Sequence, residues 1–328
     1  MTNTGKFVIS LDFELMWGVR DKRCVKDYGD AIIGARTAIK NMLHCFDKHE
    51  VKVTFATVGF LFHKTKKDLL ENSPIIKPTY SNENLSPYPN IETDLGENED
   101  EDPYHFGFTL TQQIKNSPLH EIATHTYCHY YCLEPGQTVL QFEEDIKVAI
   151  EIAKKNDIII NSIVFPRNQY NKDYLEICRN CGITSYRGTE NSSIYESNNG
   201  KGNTPIKRIL RLIDSYINIT GHHSYQFDEI KKSTPHNIPS SRLLRPYSKK
   251  LFFLERFKFL RIKNAMTYAA KNNLVYHLWW HPHNFGRNCK ENICLLEKIL
   301  RHYDFLNKKY SFQSVTMKEL SNELKKTK

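Results

Sequence analysis

Nowhere in these 328 residues do apolar side chains run unbroken for the roughly 18 positions that a membrane-spanning helix needs. The opening residues MTNTGKF also lack the charged leader and apolar core of a secretory signal, so the expectation is a cytoplasmic protein without a membrane span. No internal repeat divides the chain, and no linker of flexible composition interrupts it. No signature of a nucleic-acid-binding fold accompanies its basic residues, so no nucleic-acid partner is expected. The eight cysteines, at 24, 45, 128, 132, 178, 181, 289 and 294, do not call for a disulfide framework in a chain that is 40% hydrophobic and long enough to build a full core. Reduced thiols are expected. Cys178 and Cys181 form a lone CxxC without a second pair, which fits packing cysteines or a redox pair.

The formal charge of +9 is unevenly placed. Residues 92–102 carry seven acids, and residues 231–263 carry ten Lys and Arg against the single acid Glu255. A basic stretch of that kind serves a phosphorylated substrate or an anionic lipid surface, or is simply a solvated face.

The chain is organised around residues 7–18, FVISLDFELMWG. Phe7, Val8, Ile9, Leu11 and Phe13 have strand character, and alternation then sets Ser10, Asp12 and Glu14 on one face. Two carboxylates about 6 to 7 Å apart on one buried face repel and lose hydration. A bound cation would compensate them; water would do so if the strand were an edge.

After this strand Asp30 is positioned to cap a helix through Ala31, Ile32, Ala35, Ile39, Leu43 and Phe46, and residues 51–58 return as a strand. Residues 59–70 read as helical. Residues 72–102, rich in Pro, Asn and acids, hold no period and read as a surface excursion, part of an insertion spanning about 72–118. A strand over 119–123 leads into HTYCH, and 137–155 is an amphipathic helix with Val139, Phe142, Ile146, Ile150 and Ala153 on its buried side. A strand over 158–165, the loop PRNQ, a helix over 172–181 stopped by Gly182 and a strand over 183–186 follow. Residues 189–205 read as a polar loop, 206–220 are ambiguous, and 221–248 read as mostly irregular. A helix over 251–272, a strand over 274–280, a helix over 292–308 and a last helix capped by Thr316 with Glu319 complete the chain. This alternation predicts one α/β barrel-like domain over residues 1–328, whose chemistry gathers at the carboxyl ends of its strands.

The candidate groups sit at those ends: Asp12 and Glu14, His125 and His129, Arg167 and His281. His125 and His129 are four apart, so on a helical turn they share a face and hold one metal through two imidazoles, with Glu14 or Asp12 as third ligand and a position left for water. They are also compatible with structural histidines, or with a closed zinc site shared with Cys128 and Cys132. Thr126 stands where a zinc protease of the HExxH type has its glutamate, so a base must come from elsewhere, and the spare acid of the first strand is available.

In order along the chain, SLDFE, VTFATVG, EIATHTYCH, the Arg-containing loop after FP, and LWWH resemble the polysaccharide deacetylases of carbohydrate esterase family 4, over about residues 6–325. HTYCH fits that family's His-Ser/Thr-x-x-His metal motif, and Leu278 to His281 fits its Leu-x-x-His motif. The resemblance implies an incomplete (β/α)7 barrel and a divalent metal, usually zinc, used to remove acetyl groups from acylated sugars. It looks like the subgroup of cell-surface polysaccharide biosynthesis. Asp12-Phe13-Glu14 replaces the family's adjacent acids, and PRNQ its Arg-x-Pro. The resemblance implies His125 and His129 as metal ligands, with Glu14, whose longer side chain reaches past the strand end, as the third; Asp12, in the family's first-acid position, as the base; Arg167 as the group that keeps Asp12 ionised; and His281 as the acid that protonates the departing amine. Trp17, Asn168, Trp280 and His283 flank these residues and are the expected substrate contacts.

The substrate implied is an acylated amino sugar, and for a cytoplasmic enzyme a nucleotide-linked or lipid-linked one. Arg242, Arg245, Lys249 and Lys250 are then placed to meet its phosphate. A different metal-dependent amide or formamide hydrolase, or a non-catalytic carbohydrate-binding barrel, would share the fold. The presence of all six chemical groups argues against the latter.

Overall fold

A computed structural model describes residues 4–196 and 204–326. Lys6–Phe13 forms β1, buried from end to end. Its period of two divides the molecule into two cores. Phe7, Ile9, Leu11 and Phe13 point into the layer between sheet and helices, whereas Val8 points into the barrel beside Ala56, Ala123, Val164 and Val275. Ser10 and Asp12 share Val8's face.

Thr54–Thr57 (β2), Glu121–Thr124 (β3), Ser162–Ile163 (β4), Ser185–Tyr186 (β5), His236–Asn237 (β6), Arg242–Leu243 (β7), Val275–Trp280 (β8) and Gln313–Ser314 (β9) follow. They line up as β6-β5-β4-β3-β2-β1-β8-β7, with β9 beside the start of β1, and every pairing is parallel. Parallel neighbours need long crossovers. The helices Val25–Lys48, Val139–Lys155, Lys172–Asn180, Glu255–Lys271 and Cys289–Tyr310 supply them and cover the outer face.

β6 and β7 stand at opposite ends of this sheet, yet only residues 238–241 separate them. A step of five residues spans at most about 18 Å, so the sheet must curl until its ends nearly meet. The backbone of that segment bridges the gap. Ile238 and Ser240 donate N–H groups to Tyr186 and Gly188 on one side, and Ser241 donates to His277 on the other. The result is the α/β barrel that the alternation predicts, incomplete as the resemblance implies. Its amino-end floor is closed by the helix Met317–Lys326, whose Met317 and Leu320 fill the space that Ala56 and Ala123 leave. The expected capping box forms: Glu319 N–H donates to Thr316 Oγ1 at 3.1 Å, and Thr316 N–H to Glu319 Oε2 at 3.0 Å.

Several elements differ from the sequence expectation. The first helix starts at Val25, where Cys24 and Asp27 cap it; Asp30 instead pairs with Arg287 at 2.5 Å. Residues 158–165 yield only the two-residue β4. The stretch 221–248 holds β6, β7 and the helix Phe227–Lys231, because strands of two residues are too short to display alternation. The ambiguous stretch holds the helix Pro205–Asp214, capped by Thr204. The acidic excursion is folded onto the barrel, with Leu85, Ile91, Leu95 and Phe106 buried and helices at Ile91–Asp94 and Phe108–Lys115. Its acids have local work: Glu99 pairs with Arg36, and Asp102 receives His105 at 2.9 Å. All eight cysteines are free. No helix among the described residues is long and apolar enough to cross a membrane.

Alternation in β8 also corrects one candidate site residue. Leu278 and Trp280 face the helices, whereas His277 and Trp279 face inward. Trp280 has no exposed surface; it stacks on Phe285 with ring centroids 5.5 Å apart and points Nε1 at Met42 Sδ. It is a packing residue and cannot touch a substrate. Trp280→Ala is expected to cost about 3–5 kcal/mol of unfolding free energy in urea titration. A cost below about 1 kcal/mol would contradict this packing role.

Candidate active site

β1 ends at Phe13, and Glu14 turns in at the carboxyl mouth of the barrel. Glu14 Oε2 lies 3.2 Å from His125 Nε2 and 3.0 Å from His129 Nε2, and all three side chains are buried. Their donor atoms lie within 4.8 Å of one another, the one group of its kind among the described residues. Two ligand atoms of a tetrahedral zinc, each about 2.0–2.1 Å from the ion, stand about 3.3 Å apart, so the observed spacing suits one small cation. The hydrogen-bond chemistry points the same way. His125 Nδ1 lies 2.8 Å from the Val164 carbonyl, which can only accept, so Nδ1 carries the hydrogen. In the neutral ring Nε2 is then bare and faces a carboxylate oxygen, which is repulsive unless a cation or second proton lies between them. A carbonyl behind the ring is also how metal-binding histidines are oriented.

The turn that presents the two histidines is not the expected helical one. Thr126 and His129 take left-handed φ of 64° and 61°, and the loop is held from outside the barrel by Asp145, which accepts from Tyr127 N–H at 2.7 Å and Cys128 N–H at 3.1 Å. Burial pushes the Asp145 carboxyl up to about 6. Cys128 and Cys132 stay outside the cluster. Gly18 matters for space: a Cβ there would lie 1.9 Å from Glu14 Cδ, where the ligand carboxylate folds back.

Asp12 occupies the other side of the mouth. It is gripped by Arg187, whose two terminal nitrogens donate to Oδ1 at 2.6 Å and Oδ2 at 2.8 Å; the same guanidinium reaches Ser10 Oγ and Asn168 Oδ1 and lies 4.1 Å from the Trp279 ring centroid. The expected pairing of Arg167 with Asp12 is thereby corrected. Arg167 turns outward to Asp21 and to Glu134 and lies over Tyr131. Burial works against charge on Asp12, but Arg187, with His281 beyond it, outweighs that and holds the carboxyl below its ordinary value. For Glu14, too, burial is overcome, here by His281, His125 and His129.

His281 Nε2 stands 3.7 Å from Asp12 Oδ2 and 3.6 Å from Glu14 Oε1, between the two carboxylates. Its side chain is 26% exposed, against at most 5% for Asp12, Glu14, His125, His129 and Arg187, so it is the one of these that reaches the surface. His283 stacks on it at 5.0 Å, and burial pushes His283 down to about 4. The loop carrying both is seated on the first helix. A Cβ on Gly286 would lie 1.8 Å from the Ala31 carbonyl oxygen, and one on Gly34 would lie 2.2 Å from that of Gly286.

Of the other expected substrate contacts, Asn168 lines a cleft of about 610 Å³ beside the mouth together with Trp279. Trp17 lies in a separate groove, its Nε1–H donating to His105 O at 2.8 Å. The basic stretch is largely structural. Arg242 pairs with buried Asp214 at 2.8 Å, Arg261 approaches the same carboxylate at 3.5 Å, and Lys258 pairs with Glu255. Arg242 is therefore not available to a phosphate in the way its sequence position suggests.

No protein-family model matches the chain, and no curated protein does. Solved structures do. A protein from Mycobacterium smegmatis named as a polysaccharide deacetylase superposes with a TM-score of 0.58 at 12% identity, over 100% of this chain and 93% of its own. One of the same description from Pseudomonas aeruginosa PAO1 gives 0.55 at 11%, over 98% and 91%. A 4-alpha-glucanotransferase from Thermococcus litoralis gives 0.53 at 11%, over 98% of this chain and 41% of its own. At these identities the likeness is one of fold, and the fold carries more than one chemistry.

Elemental analysis of the purified protein is expected to find one divalent ion per chain. His125→Ala should abolish it, and Gly18→Ala should lower it by displacing Glu14. Full occupancy in the His125 variant would place the metal elsewhere.

Proposed function

We propose that this chain is a metal-dependent deacetylase that hydrolyses the N-acyl (acetamido) group of an amino sugar, in the cytoplasm and in the service of cell-surface polysaccharide biosynthesis. The observation that carries the reading is the meeting, at one barrel mouth, of the Glu14, His125 and His129 cluster with the Asp12–Arg187 pair, and of His281 between the two carboxylates. Eight free thiols fit a reducing compartment.

A divalent ion held by Glu14, His125 and His129, with zinc the first candidate for this donor set, would supply a polarised acyl carbonyl and a more acidic water. The rest falls to the chain. Asp12, kept ionised by Arg187, takes the proton of the attacking water at a carboxylate oxygen. His281 gives a proton to the departing nitrogen, since an amine leaves poorly without one. His283 supports it by stacking, and Trp279 walls the side on which the sugar enters. A screen of N-acetylated and N-formylated amino sugars, read by mass spectrometry, tests the reaction. Release of acetate from none of them would remove the reading.

Asp12→Asn should keep the metal and lose at least about 100-fold in kcat. If this variant loses the metal and Glu14→Gln retains it, base and ligand must be exchanged. Arg187→Met removes the strongest downward influence on Asp12 and leaves the burial that raises it. Activity that requires ionised Asp12 is present above its pKa and lost as pH falls through it. The acid limb of kcat/KM should therefore move to higher pH in Arg187→Met and stay in place in Arg167→Met. An unmoved limb in the Arg187 variant would separate that limb from Asp12.

A further inference from the structure

The cleft beside the mouth carries more positive charge than a neutral sugar needs. It runs from Asn168 and Trp279, both against Arg187, along the helix Pro205–Asp214 to Arg245, and four guanidinium groups line it: Arg208, Arg211, Arg242 and Arg245. Arg242 is neutralised by Asp214. Arg208 and Arg245 differ, because neither forms an ion pair with a carboxylate among the described residues. Arg245 is partly buried, and burial together with its neighbours Arg211 and Arg242 works against its charge. Like charges crowded on a concave, partly dry wall focus a field that an anion relieves. The acid in the lining, Glu190, is buried, and burial raises its carboxyl; Ser240 and Arg242 are among its neighbours.

We propose that this cleft is a phosphate subsite, in which Arg208 and Arg245, with Arg211 beside them, hold a phosphate esterified to the sugar whose acyl group lies at the mouth. It rests on the deacetylase reading for the identity of the sugar, not for the anion. The cleft begins at Trp279, whose ring stands 5.6 Å from that of His281, so a sugar with its acyl group at His281 has its far side in the cleft. The planar guanidinium matches phosphate oxygens through paired hydrogen bonds. A nucleoside diphosphate and a lipid carrier present the same chemistry there. Ile206, Ile209 and Ile213, exposed on the helix that bears Arg208, would serve only the lipid.

Binding is the primary test. Inorganic pyrophosphate titrated calorimetrically into the metal-loaded protein should bind in a salt-sensitive way, and at least about tenfold more weakly in the Arg208→Ala, Arg245→Ala double variant. Arg208→Glu, on an exposed position, should weaken it further with the circular-dichroism melt unchanged. Pyrophosphate held at the metal would not notice these substitutions, so equal affinity in wild type and double variant overturns the proposal. Binding that depends on the two arginines stands even if no acyl sugar turns over; the deacetylase reading then fails and the subsite does not. With substrates, kcat/KM should favour a phosphate-linked N-acetyl amino sugar over the free sugar, and the double variant should erase the preference; equal values for both in wild type overturn it. If the carrier is lipid, Ile206→Ser with Ile209→Ser and Ile213→Ser lowers kcat/KM for the lipid-linked sugar alone, and if it is a nucleotide the substitutions leave the preference intact.

Discussion

The buried pair of Asp12 and Arg187 is the constraint from which the mouth of this barrel is built. Taking two charges out of water costs several kcal/mol each, and the loss is recovered only when geometry and further hydrogen bonds are nearly complete. Here both are. The guanidinium crosses from the end of β5 to β1, meets both oxygens of Asp12, and spends other donors on Ser10 and Asn168 over the face of Trp279. That one side chain ties the first strand, the loop after β4 and the inner face of β8 together. It also settles the difficulty posed by two acids on one strand: Asp12 has its own permanent countercharge, and Glu14 is given over to imidazoles.

What was legible in the sequence follows from period and spacing. β1 announces itself as an apolar run in which Ser10 and Asp12 alternate with Ile9, Leu11 and Phe13, and the two acids and two histidines could be expected to meet because each lies at or just past the end of a strand with an apolar signature. Arg187 was hidden by the brevity of β5. Two paired residues followed by Arg, in TSYRGT, carry no alternation to mark a strand end, whereas Arg167 follows a long apolar run and a proline. The signal that existed was a charged residue directly after Ser185 and Tyr186. Trp279 and Trp280 could have been told apart from sequence, since alternation in an inward His277 forces Trp279 inward and Trp280 out. The seam at 238–241 was beyond reach, because its hydrogen bonds are made to strands more than 30 residues away on one side and 50 on the other.

The seam also explains where variety is possible. Elsewhere the barrel is walled by paired strands and a covering helix, and its interior is filled by small residues over the C-terminal helix. At the gap between β6 and β7 the wall is a single stretch of backbone, and the neighbouring helix Pro205–Asp214 brings side chains of its own choosing. The same fold, at 11 and 12% identity, is found in proteins of different names.

The seat of the His281 loop works oppositely. Gly34 and Gly286 bring backbone against backbone, with no side chain whose rotamer could take up a small displacement. A contact of that kind behaves as a mechanical stop: it sets the depth of the loop to one value and refuses gradual adjustment. A side chain at either glycine is blocked unless the facing turn moves as well, so the histidine side of the mouth is a fixed jaw.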